Sequence, residues 1–328
     1  MTSSNESAGA FPLGAAGASM SSPGGAPAVT TDEIVKLLGD KPLMLRSIDY
    51  AIYDALPGER SSTLKAILKS PLAYQHRLAM PRPDTQSLRV GRAVHMAILE
   101  PERFESRGPG GIAIYPGANA DGKKQVRRGG NWEEFQAKHA DKTILSESEF
   151  NTAWRMAAAV RRHPLAWSYL SEQAERELTV TWVDEATGTR VKVRIDHIGV
   201  VLAELKTGIE ITPRASGNAA NSYGYHMQIA MQNLGASLVG LGPLPTKIIW
   251  LEKVPPFDCA VDDVDPSAVA KGAGLYCQAL ARLAECRSTN EWPGAYPQER
   301  TLTLPSYATN DEEENNEGES YPWEESNV

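Results

Sequence analysis

The sequence predicts an α/β fold of the mixed α+β kind, and three observations carry that prediction. Apolar residues recur at helical spacing through residues 61–104 and 146–170. From residue 175 the period changes to two: Leu178, Val180 and Trp182 alternate with polar residues, and Val191, Val193 and Ile195 do so after the turn "DEATGT". A helix, a further strand and a long final helix then follow, an order that fits one mixed domain. A chain of 328 residues with 41% apolar content is long enough for one large core.

Each element has its own signal. "TTDEIVKLLGD" (30–40) has Thr/Asp caps, an apolar triplet and a closing glycine, so a short helix is expected. "SSTLKAILKSPLAYQHRLA" (61–79) starts from a Ser61 or Ser62 cap, and Pro71 begins a second helix. "SLRVGRAVHMAILEPERF" (87–104) places Val90, Val94, Ala97 and Ile98 on one face of a third helix. Residues 105–143 read as an excursion loop, glycine-rich and basic, with a short helix from Trp132. "SESEFNTAWRMAAAVRRHPLAWSYL" (146–170) begins with a Ser146–Glu149 capping box and is broken at His163-Pro164. A three-stranded meander is expected over roughly 175–207. A single helix over 218–240 follows, with Ala220, Tyr223, Met227, Met231 and Leu234 as its apolar stripe. A strand over 246–254 and a helix over 265–287 complete the order.

The domain reading is a Gly/Ala/Ser arm over 1–30 without fixed structure, one domain over 31–300, and an acidic flexible tail over 301–328. Within the domain, 31–170 is the helical part and 171–290 holds the sheet and its helices. The arm lacks a basic start followed by an apolar block, so it does not read as a secretory signal. No apolar run is long enough for a transmembrane helix. Three cysteines, Cys259, Cys277 and Cys286, without a CxxC pair argue against structural zinc and an iron–sulfur cluster, and for a reduced cytoplasmic setting. The net charge of −8 is a property of the tail, which holds eight of the 41 acids; without them, 33 acids face 33 bases. The acidic total therefore does not exclude DNA as a partner.

One stretch stands apart. "RIDHIGVVLAELKTG" (194–208) reads as two short buried strands, yet carries Asp196, Glu204 and Lys206. Charges in an apolar setting are costly unless paired, solvated or bound to metal. Alternation puts Glu204 and Lys206 on one face and Leu205 on the other. Asp196, near the end of the preceding strand, can reach Glu204 across the pair. Two converging carboxylates suit a hard divalent cation, and a neighbouring protonated lysine can hold water or a phosphate oxygen. The bland alternative is an edge strand whose Glu and Lys merely keep it soluble.

With the other motifs in view, the sequence resembles a known family. "RVKVRIDHIGVVLAELKTG" resembles the D…(D/E)xK core of PDDEXK nucleases. "SSTLKAILKSPLAYQHRL", "VGRAVHMAILEPERF", "NWEEFQAKHADKTILSESEF" and "YGYHMQIAMQ" resemble, in order, further motifs of the phage and prophage exonuclease VIII (RecE-like) group, relatives of RecB and lambda-exonuclease nuclease domains. The resemblance spans roughly 53–285 and implies a restriction-endonuclease-like core with a central mixed sheet flanked by helices. By it, Asp196, Glu204 and Lys206 match the catalytic residues. His95, Asp196, Glu204 and the Leu205 backbone carbonyl match a metal site for Mg²⁺, with Mn²⁺ as substitute. Glu177, Tyr225 and Gln228 match further site positions. Relatives have Gln-x3-Tyr where this chain has Gln228-x3-Gln232, which weakens a role for position 232.

The resemblance also implies an exonuclease resecting double-stranded DNA ends 5′→3′, a ring-like homo-oligomer, a single-strand annealing (RecT-like) partner, no membrane, and a phage- or prophage-encoded protein of the bacterial cytoplasm. Alternatives stay open: a non-catalytic adaptor on a degenerate nuclease fold, docking through the acidic tail, or an endonuclease on the same core. On residues alone, His95 reads equally as a core-edge histidine, and Asn221, Tyr225, Gln228 and Gln232 as a solvated helix face. Lys123, Lys124, Arg127 and Arg128 are candidate phosphate contacts or loop decoration. His197 and His226 are read as structural.

Overall fold

The computed structural model describes residues 30–80, 84–106, 108, 110–118 and 126–305, with the backbone alone of 19–20. Its first elements are β1 (Ser19–Met20), α1 (Thr31–Leu37), β2 (Leu43–Leu45) and α2 (Tyr50–Ala55). β1 pairs in parallel with β2, so the N-terminal arm contributes a short strand; the rest of 1–29 lies outside the described residues. Thr30 and Glu33 cap α1 reciprocally. β2 and α2 carry too few residues to show a period, and the sequence reading missed both.

Next come α3 (Ser61–Lys69), α4 (Pro71–Ala79), α5 (Gln86–Leu99) and α6 (Pro101–Ser106). The N-cap of α3 is Arg60, one residue before the expected serines. Ser70 caps α4 by accepting from the Ala73 N–H, with Pro71 in the first turn, where its missing donor costs nothing. The helix expected over 87–104 is two helices, since Pro101 cannot continue the first. β3 (Ile112–Ile114), α7 (Gly130–Lys138) and β4 (Thr143–Leu145) follow, β3 and β4 forming a parallel pair where a loop was expected. α8 (Glu147–Arg162), with its Ser146–Glu149 capping box, and α9 (Pro164–Leu170) complete the helical half.

The meander is β5 (Glu175–Val183), β6 (Arg190–Ile198) and β7 (Leu202–Gly208). Then come α10 (Pro213–Ser222), α11 (Tyr225–Leu238), β8 (Thr246–Glu252), β9 (Cys259–Asp263) and α12 (Pro266–Thr289). The main sheet has the order β1-β2-β5-β6-β7-β8-β9; β7 and β8 are parallel, and the ladders from β2 to β7 and between β8 and β9 are antiparallel. It is the expected central mixed sheet flanked by helices.

Two helical layers cover its faces. On one, Ala93, Ala97, Met156 and Val160 of α5 and α8 pack on Ala203, Leu205, Ile249 and Leu251. On the other, Leu64, Ile67, Met227, Met231 and Leu280 pack on Val180, Trp182, Val193 and Leu202. Burial of each of the larger side chains among these contributes roughly 1.5–3 kcal/mol, so β7 is held rigidly from both sides. Among the described residues, no helix is long and apolar enough to cross a membrane.

Candidate metal centre

The strands that carry the charges are irregular where the charges sit. Ile195 and Ile198 join the same apolar cluster, although strict alternation would send residues three apart to opposite faces. The ladder to β5 likewise runs through Leu178↔Ile195 and resumes at Arg176↔His197. Between them Glu177 adopts φ 51°, a left-handed conformation that costs a non-glycine residue about 1–3 kcal/mol. On the other side β6 pairs β7 only at His197↔Ala203 and Ile198↔Leu202. The strands then part, and the Asp196 carboxylate enters the fork to accept the Leu205 N–H at 2.8 Å.

This distortion brings His95, Glu177 and Asp196 together, with one donor atom from each within 4.8 Å of the others. α5 supplies His95, whose Nδ1 lies 3.5 Å from Asp196 Oδ2. Two carboxylate oxygens and an imidazole nitrogen suit a divalent cation, the carboxylates favouring a hard ion and the imidazole a transition ion such as Mn²⁺. Asp196 itself argues the same way: it is only 7% exposed, and among the described residues the basic side chain within ion-pair distance is the His95 ring, whose neutral form offers no charge. A buried carboxylate with so little compensation is expected where a cation binds.

Glu204 and Lys206 face the other way from Leu205, as alternation requires, and meet α11. Glu204 Oε1 accepts from Lys206 Nζ at 2.5 Å and Gln228 Nε2 at 2.6 Å. Its Oε2 accepts from Gln232 Nε2 at 2.7 Å, and Gln232 also donates to the Arg194 carbonyl. Lys206 Nζ lies 3.2 Å from Gln228 Oε1 and 4.5 Å from the centroid of the Tyr225 ring. Glu204 thus stands beside the three-residue cluster with its oxygens turned to α11, whereas the sequence reading placed it among the ligands.

Electrostatics separate these groups. Burial pushes the Asp196 carboxyl well above the usual carboxylate range, and the charges of Glu204 and Glu177 push it further. Burial lowers the His95 imidazole, although Glu177 and Glu204 oppose the shift, so the ring favours its neutral, ligating form. Burial by itself lowers the Lys206 ammonium; the attraction of Glu204 and Asp196 outweighs it and raises the ammonium above its ordinary value.

The structure therefore gathers His95, Glu177, Asp196, Glu204, Lys206, Tyr225 and Gln228 into one region. Of the basic loop, the described Arg127 is engaged elsewhere. Arg127 ion-pairs with the buried Glu149 and lies over Trp132, which explains its presence without phosphate. Arg128 is exposed, and Lys123 and Lys124 lie outside the described residues. Sequence reasoning undervalued Gln232, 1% exposed and one turn from Gln228. It also missed Arg194, which pairs with Glu177. A cavity of about 330 Å³ opens beside Glu177, walled by Ser47, Arg103, Arg176 and Arg194.

These features agree with the comparison to known families, in which residues 60–298 match the PDDEXK-like domain of unknown function (DUF3799). The chain belongs to this family. Among solved structures, it is similar to one from Eubacterium rectale described as a "Putative exonuclease", with 16% identity, a TM-score of 0.49, and coverage of 74% of this chain and 88% of that one. No match is found among curated proteins.

Proposed function

We propose that this PDDEXK-like domain is a DNA exonuclease that requires a divalent cation, Mg²⁺ with Mn²⁺ as substitute, and resects linear double-stranded ends 5′→3′ for single-strand-annealing recombination. The observation that carries the reading is the part-buried His95–Glu177–Asp196 cluster, with Asp196 buried at its base and Lys206 close by. His95, Glu177 and Asp196 would hold the cation, which when bound would supply Lewis-acid activation of water and charge neutralisation at the scissile phosphate.

The chain's own groups divide the remaining tasks. The Leu205 N–H orients Asp196. Lys206, kept protonated by Glu204, cannot take a proton; it donates, either to a phosphate oxygen or to the attacking water. Gln228 and Gln232 hold Glu204, and through it the position of Lys206. A closed ring of identical subunits, an annealing protein as partner, double-stranded DNA ends as substrate, and a phage or prophage origin with action in the host cytoplasm belong to the same proposal, supported by the motif resemblance.

The test uses 5′-labelled linear duplex with Mg²⁺. Wild-type protein is expected to release nucleotides, and Lys206→Ala to do so about 10²–10³-fold more slowly, the usual loss for one transition-state donor. Equal, background-level release from both would end the enzyme reading. A closed circular duplex should remain intact; its cleavage would favour an endonuclease.

A further inference from the structure

The junction between α10 and α11 builds an exposed aromatic surface next to Lys206. Tyr223, at the end of α10, is 61% exposed. Its ring stacks on Tyr225 at 5.7 Å between centroids, with 30° between planes. Tyr225 is in turn set against Trp250 at 5.9 Å and lies under Lys206 Nζ at 4.5 Å from its centroid. The two separations of 5.7 and 4.5 Å place the Tyr223 ring within about 10 Å of the Lys206 ammonium.

The junction is held in shape. Gly224 has φ 62°, in the left-handed region that favours glycine. A Cβ added there would lie 2.7 Å from Lys65 Cδ, and Lys65 Nζ donates to the Tyr223 carbonyl at 2.5 Å. This break turns Tyr225 and Gln228 toward Glu204 and Lys206 while leaving Tyr223 outside. An exposed aromatic held by stacking loses little freedom on binding a planar partner, and nucleobases stack on such rings whatever their sequence. Lys65, whose ammonium lies at the Tyr223 carbonyl, and Lys206, over the Tyr225 ring, place basic groups near the platform, suited to a phosphate backbone.

We infer that Tyr223 is a stacking platform for a nucleobase at the DNA end entering the site, a binding residue for the substrate that does not take part in bond breaking. The inference rests on the nuclease reading above and names one contact of its substrate. The helix break at Gly224 is what takes Tyr223 out of the apolar stripe expected of a continuous helix.

The experiment uses full-length protein carrying Lys206→Ala, which slows hydrolysis, with Mg²⁺ and a duplex bearing 2-aminopurine at its 5′-terminal nucleotide. Stacking quenches this base's fluorescence, and anisotropy of a distal dye reports binding separately. With Tyr223 present, binding is expected to quench the base. Tyr223→Phe should retain the quench. Tyr223→Ala should lose it and raise Kd about tenfold, the usual weight of one base–aromatic stack. Binding with equal quench in all three proteins overturns the platform and leaves the nuclease reading standing. No DNA binding by the protein with Tyr223 intact, checked without the Lys206 substitution in Ca²⁺, overturns both. Retention of the quench in Tyr223→Phe guards against loss through misfolding.

Discussion

Asp196 carries the least compensated charge among the site residues, and its behaviour should reveal the cation. The folded protein holds this proton more tightly than the unfolded chain does, because burial and the neighbouring carboxylates raise its pKa. Without a cation, the Asp196 contribution should make stability fall as pH rises from the ordinary carboxylate range through the raised value. Asp196→Asn removes the repulsion and can keep the hydrogen bond from Leu205. Its melting temperature in EDTA should therefore exceed that of wild type, while Mg²⁺ or Mn²⁺ should stabilise wild type and leave the variant unchanged. A wild type that melts identically with and without cation would refute the assignment. Gln232 is the second test at this scale. Gln232→Leu would leave Glu204 Oε2 and the Arg194 carbonyl without their donor, at a cost of roughly 1–3 kcal/mol in a urea titration. Nuclease activity should fall with it, since Glu204 would be free to turn away from Lys206.

At the scale of elements, the breaks matter more than the elements. The helix legible over 218–240 is split at Gly224, and the split decides which residues face the sheet. Met227 and Met231 lie in the core as the period requires, but Tyr223 and Leu234 are exposed at 61% and 37%. Gly224→Ala places a methyl group in a left-handed conformation and against Lys65. About 1 kcal/mol or more of stability should be lost, and the shift should carry Tyr225 and Gln228 away from Lys206. The measurement is a thermal melt alongside nucleotide release; a variant unchanged in both would show that the junction tolerates the Cβ. The bend at Glu177 is a comparable device on β5, where a strained residue turns its carboxylate toward His95 and Asp196.

Across the whole molecule, a buried network ties the first helices to the last. Glu59 accepts from Tyr74 Oη at 2.6 Å, Thr63 Oγ1 at 2.7 Å and Arg287 at 2.7 Å, spanning α3, α4 and α12. Its main chain also bridges β6 through Arg190 and Lys192. Beside it, Lys192 Nζ donates to the carbonyls of Tyr53, Asp54 and Leu56, satisfying the end of α2. Glu59→Ala leaves the Tyr74 O–H without its acceptor, whereas Arg287, nearly half exposed, can turn to water. The expected loss is about 2 kcal/mol, read as a lower urea midpoint with an unchanged slope. A changed slope would mean that the two ends of the chain no longer unfold together.

The sequence by itself determined the alternation that sets Glu204 and Lys206 opposite Leu205, the caps at Thr30 and Ser146, and the order of the longer helices and of strands β5 to β8. These follow from local periods and from hydrogen bonds between residues close in the chain. Only the tertiary structure decided that Glu177 joins His95 and Asp196, and that Glu204 turns instead to Gln228 and Gln232. Short strands such as β2 and β9 were likewise settled by long-range pairing. The physical reason is the same in each case. A strained φ, a fork between strands and a helix break are irregularities, and a periodic pattern cannot encode the positions at which it fails; packing from both faces of the sheet holds them in place.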